Sequence, residues 1–481
     1  MIDNTIILKE LQKHGDKNVV SFHVPGHKNG RAFEKFNSKY FSKEMLALDI
    51  TELPDTDNLY APKNMIRQAQ ERAAQIFHAD KTFFLINGTS AGNISAMMAV
   101  LNPMDKVIVP RDCHKSVLHG LILGGYSPIY INPEMNRDWG IPAGISPETI
   151  EKAIMENPEV KAVVLTYPNY YGLCSDVKKI SEVVHAYEKI LIVDEAHGAH
   201  FTLSSKLPIT SIRAGADIVS QSIHKTLPAF TQSSMLHVKS KKIDIDRLKL
   251  MLMMNQSSSP SYLLMASLDM ATAIVEDEGE ILMDRLLENI KYLEDRLQPL
   301  KGIRIMNGSL EEMNGVFKKD PTRLVISLIE LGISGVELNT LLRDQYGIQM
   351  ELADMNNVVG VTSIGNNRED FESLISALEE ISSKGIQGIP NTFIPSFSYG
   401  VPKIKISPRE AAFARKKEIS FVDSAGSVSG EYIIPYPPGI PIICPGEEIT
   451  QEIIEYVKIL QGFGGEFIGT KDENLEVIGI I

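Results

Sequence analysis

The stretch DIVSQSIHKTLPAF, residues 217 to 230, runs from a short apolar segment directly into a histidine and a lysine. A brief apolar run bounded by polar residues reads as a buried strand, so its end raises the question of what two titratable groups do there. Taken alone, His224 and Lys225 could simply face water. Four further runs place the pair in a larger pattern: TFFLI (82 to 86), KVIVP (106 to 110), AVVLTY (162 to 167) and ILIVDE (190 to 195), separated by amphipathic, helix-like stretches. That alternation predicts an α/β fold with a mostly parallel sheet covered by helices. Ligands of such sheets bind beyond the carboxyl ends of the strands. The residues after each run are therefore the first candidates for chemistry.

After the first run comes NGTSAGN, residues 87 to 93, leading into a helix-like segment. Gly88 permits a tight turn, and Thr89 and Ser90 supply hydroxyls and amides at a helix start, which suits a phosphate cup as well as an ordinary N-cap. After the second run, RDCHKS carries His114, with Ser116 as a possible cap. After ILIV stands Asp194 in DEAHGAH. A carboxylate following four apolar residues is buried at a cost of several kcal/mol unless a cation or hydrogen bonds compensate. Zinc held by Asp194, His197 and His200 is one conceivable partner, but no HExxH or comparable ligand spacing accompanies them.

Composition narrows the class. The chain has 481 residues, 43% of them hydrophobic and 23% charged, which fits a globular protein of two or three units. No apolar run approaches the roughly 20 residues that span a bilayer. The start MIDNTIILKE lacks the basic flank, long apolar core and cleavage site of a signal peptide, so a cytoplasmic location and no membrane partner are expected. Cys113, Cys174 and Cys444 are widely separated and are expected to be reduced thiols. A formal charge of −13 argues against a nucleic-acid partner, because phosphate backbones are bound by clustered Lys and Arg.

One cofactor accounts for all four strand ends. Pyridoxal 5′-phosphate needs a phosphate cup, a ring stacked on its face, an acid that keeps its pyridine nitrogen protonated, and a lysine that joins it as a Schiff base. In chain order these are Thr89 and Ser90, His114, Asp194, and Lys225. The chain also resembles the Orn/Lys/Arg decarboxylase family of fold type I pyridoxal-phosphate enzymes over nearly its whole length. The matching stretches are FHVPGHKNG, DITELPDTDNLY, FLINGTSAGN, RDCHKS, VDEAHGAHF, QSIHKTLPA, SSSPSYLLMASLD and SAGSVSGEYIIPYPPGIPIICPGE. Eight such stretches in the right order make the resemblance specific.

The resemblance implies that Lys225 joins the cofactor, with an amine whose pKa is lowered by burial and nearby positive charge. It implies that Asp194 pairs with the pyridine nitrogen, His114 stacks on the ring, and Thr89, Ser90, Ser222 and His224 hold the phosphate. His197 stands where large members of the family carry a tryptophan near the ring oxygen, and is expected to donate to that oxygen. Ser257 and Ser258 resemble a segment that reaches the phosphate of a neighbouring subunit, which implies a homodimer or an oligomer built from dimers.

The reaction follows from which bond at Cα stands perpendicular to the ring. An aminotransferase clamps the α-carboxylate in the ring plane with an arginine, whereas a decarboxylase leaves it perpendicular and poorly solvated. Arg323, in PTRLVISL, is the candidate clamp. The resemblance favours decarboxylation of arginine, lysine or ornithine, toward a diamine or polyamine precursor. Another fold type I reaction, transamination or elimination, and a non-catalytic cofactor-binding regulator are the alternatives. A distal substrate cation requires carboxylates or carbonyls. Glu52, Asp55 and Asp57 are candidate lining residues, and a solvated loop around Pro54 is the bland reading of the same run. His27 and Glu447 match family stretches without an assigned role.

The expected organisation is an N-terminal arm over residues 1 to 60, a large cofactor domain over 61 to 270, a smaller α/β domain over 271 to 385, and a linker with a C-terminal decarboxylase-type domain over 386 to 481. EILMDRLLENIKYLEDRL, from 280, reads as a long amphipathic helix, and GIQGIPNTFIPSFSYGVPKIKISP, from 385, as a Gly-, Pro- and Ser-rich linker. YPPGIPIICPGE is too rich in proline for a central strand. The resemblance is to a short form of the family, expected to lack the extra N-terminal domain of its large members.

Overall fold

The structure is a computed structural model that describes residues 4–17, 19–36, 41–306, 315–384, 401–436, 440–462 and 465–481. Each of the five apolar runs forms a strand, as β-branched and aromatic residues on a buried pleat favour. Two strands join them that the apolar pattern does not disclose. The seven are β1 (Lys81–Leu85), β2 (Lys106–Pro110), β3 (Ser127–Ile131), β4 (Ala162–Thr166), β5 (Ile190–Asp194), β6 (Ile218–Gln221) and β7 (Ser234–Val238). Their order is β1-β7-β6-β5-β4-β2-β3. Pro128 breaks the pattern of β3, and Ser234 and His237 break that of β7. β2 pairs in parallel with β3 and β4, but β7 runs antiparallel to both β6 and β1. The link from β6 to β7, residues 222–233, carries a single helical turn, Ile223–Thr226, and the chain returns antiparallel.

The chain divides into two compact units, one of residues 1–99 with 193–284 and one of 100–192 with 285–481. In the first unit, helix α1 (Met65–Ile76) covers β1, and the Gln70 side chain accepts the Phe84 amide at 2.9 Å. Helix α2 (Gly88–Val100) begins immediately after β1. Gly88 has φ of +72°, a conformation that other residues adopt only with strain. A Cβ at Gly92 would lie 2.7 Å from Leu85 and 3.0 Å from Ser220, so glycine lets α2 lie close on the sheet. The expected amphipathic helix is the end of a longer one, Tyr262–Leu297.

In the second unit, helix α3 (Lys115–Gly124) follows β2. A four-stranded antiparallel sheet is formed by Arg304–Ile305, Arg323–Ser327, Val358–Val361 and Leu352–Ala353, in that order. Arg323 is buried there, beside the charge of Asp320. The C-terminal part has its own apolar core, which includes Phe421, Ile443, Ile454 and Phe467. Leading into the proline-dense stretch, Ile434–Tyr436 pairs with Glu466–Ile468 as a two-stranded ribbon. The expected linker lies outside the described residues up to residue 400.

A buried ion pair anchors that C-terminal core to the end of β2. Arg111 donates to Glu447 Oε1 at 2.5 Å and Oε2 at 2.7 Å, and to the Ile442 carbonyl at 2.8 Å. Its guanidinium lies 4.9 Å from the centre of the Tyr130 ring. The Cys444 amide donates to Glu447 Oε2 at 2.7 Å. Burial pushes the Glu447 carboxyl up, and Arg111 pulls it back down. Both Glu447 oxygens are engaged inside the protein, which gives this residue a structural task where the sequence left it unassigned. Removing one partner of such a pair costs about 3–5 kcal/mol because the other charge stays buried. Arg111→Met is therefore expected to lower the free energy of urea unfolding by that amount, and adding Glu447→Met should restore most of it.

Candidate active site

The first unit brings together side chains from four places in the sequence. β5 ends on Asp194, which is buried. Its Oδ2 accepts from Asn93 Nδ2 at 2.7 Å and its Oδ1 from the Ala196 amide at 3.2 Å. Asn93 lies one turn after Thr89 on α2, so spacing of four residues puts both on one helix face. The sequence reading missed Asn93, although it closes the NGTSAGN motif and the i, i+4 relation to Thr89 was open to inspection.

Thr89 Oγ1 lies 2.5 Å from Ser222 Oγ and donates to Ser234 Oγ at 3.1 Å. Ser234, on β7, is the second residue the sequence did not suggest. Ser90 is exposed in the first turn of α2. Ser222 precedes a single helical turn, Ile223–Thr226, that carries His224 and Lys225. Lys225 Nζ lies 3.0 Å from His197 Nε2. The expected oxygen-binding histidine thus reaches the lysine itself. His224 gives its Nδ1 proton to the Ser233 carbonyl at 2.8 Å. Burial lowers its pKa, the Ser233 carbonyl works against that, and the Lys225 charge lowers it further. Among the described residues no three His, Cys, Asp or Glu side chains are grouped to hold a metal ion.

His114 lies in the second unit, at the turn between β2 and α3. It is the N-cap of α3: its Nδ1 accepts the Ser116 amide at 3.2 Å and stands 2.8 Å from Ser116 Oγ. The capping role the sequence offered to Ser116 belongs to the histidine.

The remaining candidates are spread over the first unit. Ser257 and Ser258 are exposed, and Tyr60 donates its hydroxyl to the Ser257 carbonyl. Asp57 is buried and accepts the amides of Asn58, Lys63, Asn64 and Ile66 at 2.8 to 3.1 Å, which makes it the organiser of the entry to α1. Asp55 bonds Lys17 at 2.6 Å and His14 at 3.1 Å, and these two hold its carboxyl down at about 2. His27 donates to Asp49 at 3.1 Å and accepts the Gly30 amide at 3.1 Å. Glu52 is half-buried and accepts from the Thr51 hydroxyl at 2.7 Å. Of these carboxylates, Asp57 has most of its hydrogen-bonding capacity taken by backbone.

A helix start with hydroxyls, a buried carboxylate and a lysine converge on this side of the sheet. The chain matches the description "Orn/Lys/Arg decarboxylase, major domain" over residues 5–313 and "Orn/Lys/Arg decarboxylase, C-terminal domain" over residues 395–475. It is 35% identical to an arginine decarboxylase of Bacillus subtilis, over 98% of this chain and 96% of that one. It is 27% identical to the lysine decarboxylase LdcA of Pseudomonas aeruginosa, over 96% of this chain and 76% of that one. The crystal structure of a lysine decarboxylase from Francisella novicida superposes with a TM-score of 0.86 at 22% identity, covering 99% of this chain and 81% of that one. This likeness gives the fold, a fold type I architecture with a C-terminal domain. Asn93→Leu is expected to destabilise the protein by about 1–3 kcal/mol, because the buried Asp194 carboxylate loses a donor. The same substitution in an Asp194→Asn background should cost less, a coupling that urea unfolding of the double-mutant cycle reads directly.

Proposed function

The chain belongs to the Orn/Lys/Arg decarboxylase family, and from that membership we propose that it removes carbon dioxide from arginine with pyridoxal 5′-phosphate as cofactor, yielding a polyamine precursor. The observation that carries the choice of arginine is the 35% identity to a relative of that name, against 27% to one named for lysine. Lysine and ornithine are the competing substrates of the same reading.

The donor set supports the cofactor. Ser90 and the amides at the start of α2 would hold the phosphate, with Thr89 and Ser222 beside them. Asp194 would hold the pyridine proton while Asn93 and the Ala196 amide keep its carboxylate in place. Bound there, pyridoxal phosphate supplies an electron sink for the pair left as carbon dioxide departs. Lys225 would join the cofactor and release it to the incoming amine, and His197, 3.0 Å from that nitrogen, can pass a proton to or from it. His224 has spent its Nδ1 proton on Ser233, so its Nε2 donates to a phosphate only after the ring takes up a second proton. The family resemblance assigns the ring face to His114. Glu52 is the retained candidate for the distal guanidinium, because its one described hydrogen bond is to Thr51.

A dimer fits the exposed apolar side chains of the N-terminal arm, where Phe22 is 95% and Phe36 is 73% exposed. Ser257 and Ser258 would then serve a second copy. The domain limits at residues 60, 270 and 385 and a cytoplasmic location belong to the same proposal, and no helix among the described residues is long and apolar enough to cross a membrane.

Carbon dioxide release from arginine, lysine and ornithine, measured in parallel with pyridoxal phosphate present, tests this reading. Release is expected to be fastest from arginine, to fall to background in Lys225→Ala, and to slow by about 100-fold or more in Asp194→Ala. Unchanged release in Lys225→Ala would contradict the assignment, and so would no release from any of the three by a protein that binds the cofactor.

A further inference from the structure

Four polar side chains that the proposed chemistry leaves unused form one continuous chain across the first unit. The side chains of Glu195 and Gln221 bond each other, whereas those of their neighbours Asp194 and Ser222 bond Asn93 and Thr89 of α2. The strand register sets Gln221 beside Met235, and Thr82 beside His237. Glu195 Oε1 accepts the Ser211 amide at 2.8 Å and the Ser211 hydroxyl at 2.9 Å. Its Oε2 accepts from Gln221 Nε2 at 2.6 Å. Gln221 Oε1 is 3.0 Å from His237 Nε2, and His237 Nδ1 is 2.8 Å from Thr82 Oγ1. Phe77 stacks on the His237 ring at 5.0 Å, and Glu195, Gln221 and His237 have 0% of their surface exposed.

The direction of these hydrogen bonds is dictated from one end. A carboxylate can only accept, so Gln221 turns its NH₂ to Glu195 and its oxygen to His237. The imidazole then carries its proton on Nε2, and Nδ1 accepts from Thr82. One proton added to Glu195 Oε2 reverses every link. The new O–H needs an acceptor, so the Gln221 amide turns over and offers its oxygen. Its NH₂ then faces His237 Nε2, which must be bare, and the ring proton resides on Nδ1 and is donated to the Thr82 hydroxyl oxygen. One proton has been taken up, and the ring keeps one N–H throughout.

We infer that Glu195 is a positioning residue for the strand ends that carry Asp194 and Ser222, acting through a hydrogen-bonded chain to His237 whose direction depends on whether Glu195 holds a proton. Buried polar chains of this kind are costly unless every member is satisfied, and when satisfied they specify strand register. Two adjacent members of this one adjoin residues of the proposed site: Glu195 follows Asp194, and Gln221 precedes Ser222.

Burial pushes the Glu195 carboxyl up to about 7, against the pull of the Gln221 and Ser211 donors. The chain therefore changes direction in the neutral range. Burial alone pushes His237 down to about 3, so its ring stays neutral while its tautomer changes. The other ionisable groups on and beside these elements include Asp194 on β5, Arg213 in the turn Ser211–Ala214, Asp217 ahead of β6, His224 and Lys225 after it, Lys81 on β1 with His78 and Asp80 ahead of it, Lys239 after β7, and Arg67, Glu71 and Arg72 on α1. None of them is part of the hydrogen-bonded path from Glu195 to Thr82. The sign follows from the raised pKa: folding favours the protonated carboxyl, so the contribution to stability is complete below the ordinary value of 4.5 and is lost as pH rises through about 7.

The test uses the full-length protein with ¹⁵N-labelled histidine, and the His237 signals are identified by their loss in His237→Asn. Between about pH 8 and about pH 6 the ring is expected to pass from the Nε2–H to the Nδ1–H tautomer without becoming imidazolium. Glu195→Gln, whose carboxamide can donate to Gln221 at any pH, should show Nδ1–H throughout. A tautomer that is the same at both ends of the range in the unsubstituted protein overturns the inference, even if the variant does not fold. The positioning role rests on the cofactor reading above and has its own readout, the dissociation constant of pyridoxal phosphate. It should change several-fold over this range in the unsubstituted protein and stay flat in Glu195→Gln. Equal pH dependence in both proteins overturns the positioning role. A protein that never binds the cofactor but switches its tautomer overturns the cofactor reading and leaves the proton switch standing.

Discussion

A carboxylate placed where a buried strand ends is the constraint on which the rest of this structure depends. Asp194 closes β5 where it is buried, so leaving its carboxylate without hydrogen-bond donors would be costly. Asn93 and the Ala196 amide meet two of its roughly four lone-pair sites and leave capacity for a further donor. Asn93 can reach it because Gly92 brings α2 close to the sheet, and because Gly88 turns the chain sharply enough for the helix to start directly after β1. The same helix start presents Thr89 to Ser222 and Ser234. A strand end, a helix start and the turn carrying Lys225 are thus tied together through hydroxyl and amide groups.

The parts legible in the sequence are those that local physics dictates. Apolar runs disclosed five of the seven strands, and the glycines and hydroxyls of NGTSAGN announced a helix start. The order of motifs disclosed the family, which the comparisons bear out. Of the two strands that escaped notice, β3 is interrupted by Pro128, and β7 by a polar residue with buried partners: His237 interrupts the pattern because Gln221 and Thr82 satisfy it. No spacing rule discloses such a partner, since the residues lie 16 and 155 positions away. The same holds for Glu447, whose partner Arg111 is 336 positions distant. Asp57 illustrates the converse. In sequence it is one more acid in an acidic run, and in the fold it collects backbone amides at a helix entrance.

The C-terminal part acquires a physical role through Arg111. That residue stands three positions before His114, at the end of β2, and its guanidinium is held by Glu447 and the Ile442 carbonyl. His114 in turn caps α3. The turn after β2 is therefore shaped from both directions, by a helix it starts and by an ion pair to the chain's last hundred residues. A buried pair of this kind adds little net stability, but removing either partner is costly.

The central claim is that Lys225 is the residue that joins pyridoxal phosphate. Borohydride reduction of the cofactor-loaded protein, followed by peptide mapping in the mass spectrometer, tests it most directly. The account predicts that the cofactor is fixed to the peptide containing Lys225. Its recovery on another lysine, or on none after cofactor binding has been verified, would contradict it.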